Sequence, residues 1–119
     1  MAYQTMNPMR GFDRSYEFKY SMSAASATNG DSIIIPCDSA WTAFQLVCTG
    51  GAAAKVQGTM DTHDDVIAGA NSWLDIASAT STGGTVYQNT PGVIYTAIRI
   101  VVTTGAASQT AQLNILVRP

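Results

Sequence analysis

From Val93 to Val117 the side chains alternate almost without a break, and that alternation leaves the segment few ways to fold. Ile94, Thr96, Ile98, Ile100 and Val102 fall on one side of an extended chain. Tyr95, Ala97, Arg99, Val101 and Thr103 fall on the other. After Gly105–Ser108, Ala111, Leu113, Ile115 and Val117 alternate with Gln112, Asn114 and Leu116. A period of two marks a strand with one buried face. A short Gly-containing connection between two such runs predicts a long terminal hairpin.

The same pattern recurs upstream. Tyr16, Phe18 and Tyr20 oppose Glu17, Lys19 and Ser21, and Ala54, Val56, Gly58 and Met60 oppose Lys55, Gln57 and Thr59. Ile33–Ile35 is a β-branched run stopped by Pro36, which suits a short buried strand. Trp41–Val47, Ser72–Ile76 and Val86–Tyr87 read as further strands. Asn29–Asp31, Gly50–Gly51 and Asn89–Gly92 read as turns, and Ser78–Gly84 as a loop. Asp61–Asn71 reads as a polar loop, in which Val66–Ala68 could form one helical turn. No segment sustains a helical stripe. Seven or eight short strands in 119 residues predict one all-β domain over 16–119, an antiparallel two-sheet β-sandwich that is jelly-roll-like or immunoglobulin-like.

Residues 1–15 show no period and contain Pro8 and Gly11, so they read as an extended N-terminal arm and not as a strand of the core. Tyr3, Met6, Met9 and Phe12 make this arm too apolar for a solvated tail. They are the candidate protein–protein interface, resting on the arm's own domain or on a neighbouring subunit. On the second alternative, deleting 1–14 leaves the domain folded and weakens attachment.

Charge narrows the range of partners. Charged residues make up 12% of the chain and the net charge is −2. Ala, Ser, Thr and Gly account for 51 of its 119 residues. Charge depletion is characteristic of the buried centre of protein contacts. Six scattered basic residues do not form a phosphate-binding surface, so no nucleic-acid partner is expected. Apolar runs are too short to span a membrane. The opening residues lack the apolar core of a signal peptide, and the expectation is synthesis in a cytoplasm. Cys37 and Cys48 would then be free buried thiols, since Cys37 sits beside a turn and Cys48 at the far end of its strand.

Catalytic constellations are missing. His63 is the single histidine, and Asp61-Thr62-His63-Asp64-Asp65 lacks the Gly and Glu spacing of an EF-hand. Zinc would need further ligands; were an ion bound, oxygen ligands would favour calcium. No nucleophile elbow or phosphate loop occurs, and the sole Glu, Glu17, lies on a strand apart from the Asp cluster. The expectation is no enzyme, no cofactor and no metal. Trp41, Trp73, Tyr87 and Tyr95 could form a sugar-stacking platform. The preferred reading places Trp41 and Trp73 in the core, as apolar-patterned strands suggest.

Lys55-Val56-Gln57-Gly58-Thr59-Met60-Asp61, Ser72-Trp73-Leu74-Asp75-Ile76, Tyr95-Thr96-Ala97-Ile98-Arg99-Ile100-Val101-Val102 and Gln112-Leu113-Asn114-Ile115-Leu116-Val117 follow one another in that order. Over about residues 52–118 this resembles the small β-sandwich virion proteins of tailed bacteriophages. The resemblance implies a virion structural protein assembled in the host cytoplasm. First comes a capsid decoration (cement) protein that binds the major capsid protein or copies of itself. Second comes a tail, baseplate or fibre component. A carbohydrate- or receptor-binding module is the alternative outside that family.

Overall fold

The computed structural model describes residues 3–8, 16–35, 41–69, 72–82, 85–89 and 95–118. For residues 7, 8, 41, 42, 77–82, 85–89 and 118 it describes the backbone alone. The two alternating runs of the last third become β10 (Ala97–Thr104) and β11 (Thr110–Arg118). They do not pair with each other. Each is the middle strand of its own sheet, and the 105–109 connection arches from one layer to the other. A hairpin would have set both apolar faces side by side, with neither covered. The arch lets Ile98, Ile100 and Val102 share one core with Ala111, Leu113, Ile115 and Val117, all at 0–2% exposure. Each such side chain gains roughly 1.5–3 kcal/mol on burial, more than a lateral hydrogen bond contributes. Gly105 permits the arch: a Cβ there would lie 2.2 Å from the Ala24 carbonyl oxygen.

Around β10 the first sheet runs β1 (Tyr3–Thr5), β5 (Ser32–Ile34), β10, β7 (Ala53–Thr59), β8 (Leu74–Thr82), and β4 (Thr28–Asn29) also pairs with β10. Around β11 the second runs β2 (Asn7–Pro8), β3 (Tyr16–Ser23), β11, β6 (Trp41–Cys48), β9 (Thr85–Asn89). Only the β1–β5 pair is parallel among these. This is the expected all-β two-sheet sandwich. A six-residue helix, α1 (His63–Ala68), stands where a polar loop with one helical turn was expected. β8 extends to Thr82, beyond the strand read at Ser72–Ile76.

The beginning of the chain departs from the arm reading in one respect. Tyr3–Thr5 joins the edge of the first sheet and Asn7–Pro8 the edge of the second. Between them Met6, expected on a contact surface, is 8% exposed and belongs to the core. The reason is register: with Tyr3 and Thr5 facing out, Met6 is delivered to the seam where the layers meet. Tyr3 is 43% exposed, and Met9 and Phe12 lie outside the described residues. Loss of 1–14 would therefore take a core side chain and two edge strands with it. Met6→Ala is expected to cost about 2 kcal/mol in urea unfolding, against about 0.5 kcal/mol or less for the exposed Tyr3→Ala.

Candidate interaction surfaces

The outward face of the first sheet carries its polar chemistry in register. Ile34, Ala97 and Thr59 form one row across β5, β10 and β7; Arg99, Gln57 and Asp75 form the next across β10, β7 and β8. Arg99 donates from Nε and Nη2 to Gln57 Oε1, at 3.0 and 2.9 Å. Gln57 Nε2 donates to Asp75 Oδ1 at 2.8 Å, and Lys55 Nζ donates to Asp75 Oδ2 at 3.0 Å. A guanidinium only donates and a carboxylate only accepts, so the amide between them has one workable orientation. The Gln57 hydrogen bond, then Lys55, holds the Asp75 carboxyl below its ordinary value. Burial pulls the Arg99 guanidinium below its ordinary value, and it remains charged at neutral pH.

Trp73 lies over this row and not in the core. The Arg99 guanidinium carbon stands 4.3 Å from its ring centroid, a cation–π contact. The correction is legible in the alternation: Ile76 enters the core at 6% exposure, so Trp73, three residues earlier, falls on the opposite face with Asp75. Its indole Nε1 is buried without a hydrogen-bond partner. Tyr95 packs instead against the core, over Gly58, where a Cβ would lie 2.5 Å from its ring. Trp73 and Tyr95 thus do not form one platform. The side chains of Trp41 and Tyr87 lie outside the described residues. The Arg99–Gln57–Asp75 row was not anticipated; its only sequence signal was an arginine in the middle of an apolar strand, because the partners depend on strand order.

At the Ala97 end of the sandwich, α1 links β7 to β8. Thr62 caps it, its hydroxyl accepting from the Asp65 N–H at 3.3 Å, and Gly69 closes it in the left-handed region at φ 83°. His63 Nε2 meets the Ile35 carbonyl oxygen at 3.0 Å, which fixes the proton on that nitrogen and ties the helix to the end of β5. Asp61 Oδ2 accepts from the Ser72 N–H at 2.6 Å and closes the loop. Asp61, Thr62 and His63 are thus engaged in holding the loop. Among the described residues no three His, Cys, Asp or Glu side chains come together as metal ligands. Val66 is buried beneath α1, and Ile67 turns outward. Met60 at the end of β7, Ile67 on α1 and Leu74 at the start of β8 are exposed at 61%, 45% and 59%. They stand at the same end with Asp64 and Asp65, both exposed. Large apolar side chains and two carboxylates are thus both exposed at this end. Cys48 is buried in the core, and Cys37 lies outside the described residues. No helix among the described residues is long and apolar enough to cross a membrane.

No family model matches the chain, and no curated protein matches it in sequence. The fold does recur in solved structures. The SPBc2 prophage-derived protein YomS aligns over 87% of this chain and 95% of its own, with a TM-score of 0.55 and 8% identity. Aeromonas hydrophila PliG, a periplasmic lysozyme inhibitor of g-type lysozyme, covers 98% of this chain and 96% of its own at 13% identity. Its TM-score of 0.40 is too low to bear an argument. The likeness to YomS shows a common two-sheet fold.

Two outcomes test the polar row. Arg99→Lys keeps the charge but loses the planar stack and the paired donors to Gln57, and is expected to lower stability by about 1 kcal/mol. Asp75 has a folded pKa below its unfolded one, so its contribution is complete above the ordinary carboxylate value and lost as pH falls through the lower folded value. Urea midpoints of wild type and Asp75→Asn are therefore expected to differ at pH 6 and to converge by about pH 2.

Proposed function

We propose that this chain is a structural protein of a tailed-phage virion, and within that class a capsid decoration protein that docks on the outer head surface through its α1 end. The observation that carries the reading is the exposed group Met60, Ile67 and Leu74 beside Asp64 and Asp65. Large apolar side chains grouped on one exposed surface and edged by charge are characteristic of docking surfaces. The fold shared with a prophage-derived protein along nearly the whole of both chains supports the phage setting. The sequence resemblance set out above points the same way. Many equivalent copies on a lattice would turn a modest contact per copy into a firm shell, since linked contacts multiply.

The test is retention of purified protein on genome-emptied, undecorated heads of the phage that carries the gene. Co-sedimentation at a fixed saturating ratio is expected, with at least a tenfold loss of affinity in the Met60→Ser/Ile67→Ser variant. Failure to bind heads would remove the decoration role, and binding to tails in its place would make the protein a tail component. A carbohydrate-binding module is the second reading, favoured by Trp73 lying outside the core beside Gln57 and Asp75. Glycan-array binding that vanishes in folded Trp73→Ala would select it.

A further inference from the structure

The outward face of the second sheet carries three rows in register across β3, β11 and β6. Glu17, Leu116 and Ala43 form the first, Phe18, Ile115 and Phe44 the second, and Lys19, Asn114 and Gln45 the third. The middle row turns its side chains to the core. The outer two therefore stand about 7 Å apart along the strands, at two residues' rise. They border an open depression of about 570 Å³ centred on the middle row. Where side chains are described on these strands, Glu17 and Lys19 are the charged ones, and both are exposed; Arg118 ends β11. The other described side chains of the face are small, apolar or amide. Its amides are set in a chain in which Ser21 donates to Gln112, Gln112 to Asn114 and Asn114 to Gln45, at 3.2, 3.0 and 3.0 Å.

We infer that this face is a homodimer surface whose two-fold axis runs across the strands at the level of Phe18, Ile115 and Phe44. Rotation about that line reverses each strand over its own counterpart and lays the first row of one copy on the third row of the other. Glu17 then meets Lys19 of the second copy and Lys19 meets its Glu17, so both charges are paired twice by one operation. The same operation sets the short Ala43 opposite the long Gln45 of the second copy, which enters the depression. It also sets Leu116 against the amide of Asn114. A different protein of one charge sign would repel either Glu17 or Lys19; a second copy satisfies both. With β2 and β9 short, the sheet's strands at about 4.8 Å spacing and about 3.3 Å rise offer roughly 500 Å² per copy, the scale of a weak, reversible contact beside the ~800 Å² of an ordinary stable one. Sheets facing each other at about 10 Å are an established packing mode.

The pairing stands independently of the virion role, and a charge-exchange cycle tests it. Sedimentation equilibrium is run on the wild-type chain, on Glu17→Lys, on Lys19→Glu, on the double exchange, and on an equimolar mixture of the two single variants. Wild type is expected to dimerise. Each single variant sets like charges against each other and weakens dimerisation at least tenfold. The double exchange restores it to within about threefold, and the mixture forms a heterodimer. Circular dichroism checks that each variant keeps its fold, as expected for exposed positions. A monomeric wild type at millimolar concentration, single variants that dimerise as tightly as wild type, or a folded double exchange that stays monomeric would each overturn the inference. A dimer that does not bind heads would refute the decoration role alone, and a monomer that does bind them would refute this surface alone.

Discussion

Everything in this molecule is arranged around two strands that lie next to each other in sequence and face each other across the core. β10 and β11 are the middle members of their sheets, so the 105–109 arch fixes the relative placement of the layers before any edge strand is added. Each remaining strand adds to one side or the other of this pair. The cost is a local one, since the arch requires a residue without a side chain at Gly105, closed against Ala24. The return is that the most apolar segments of the sequence cover each other directly. No helix layer is needed, and α1 only caps one end.

The alternation made this class of fold legible. Period two in 16–21, 53–60 and 93–117 predicted half-buried strands, and the faces carrying Phe18, Val56, Ile98, Ile100, Leu113 and Ile115 enter or pack on the core, while Met60, past the end of β7, is left exposed. What alternation cannot encode is which strand lies beside which. The 93–117 segment is compatible with a hairpin and with an arch, because the alternation assigns each strand the same inner face in both. The choice depends on what covers the apolar faces, which is a property of the whole chain. For the same reason the Arg99–Gln57–Asp75 row was invisible: its members are 18 to 42 residues apart in sequence. Met6 reads as a contact residue and not as a core one because a single apolar residue between two very short strands has no period to show. Trp73 is different. Its parity with Asp75 and against Ile76 was in the sequence, and the general tendency of tryptophan to be buried outweighed that local phase.

The two outward faces divide the chemistry. On the first sheet, donors and acceptors satisfy one another, with Gln57 as the bridge between a guanidinium and a carboxylate and Trp73 laid over the cation. That arrangement is internally complete apart from the indole nitrogen. On the second sheet the amides are also mutually satisfied, yet Glu17 and Lys19 are left exposed one residue to either side of Phe18. The α1 end has a third character, with large apolar side chains kept in the open. His63 and Asp61, which look like metal ligands in the sequence, serve there to hold the loop that presents them.

Met6 also bears on how the sandwich responds to force. The backbone from Tyr3 to Pro8 passes from the edge of one layer to the edge of the other, with a core side chain at the crossing. Prying the layers apart at that margin would have to stretch a covalent strap and pull a buried side chain out of the core. The molecule is thus clasped there by its own backbone, and the layers cannot part along that margin while Met6 stays seated.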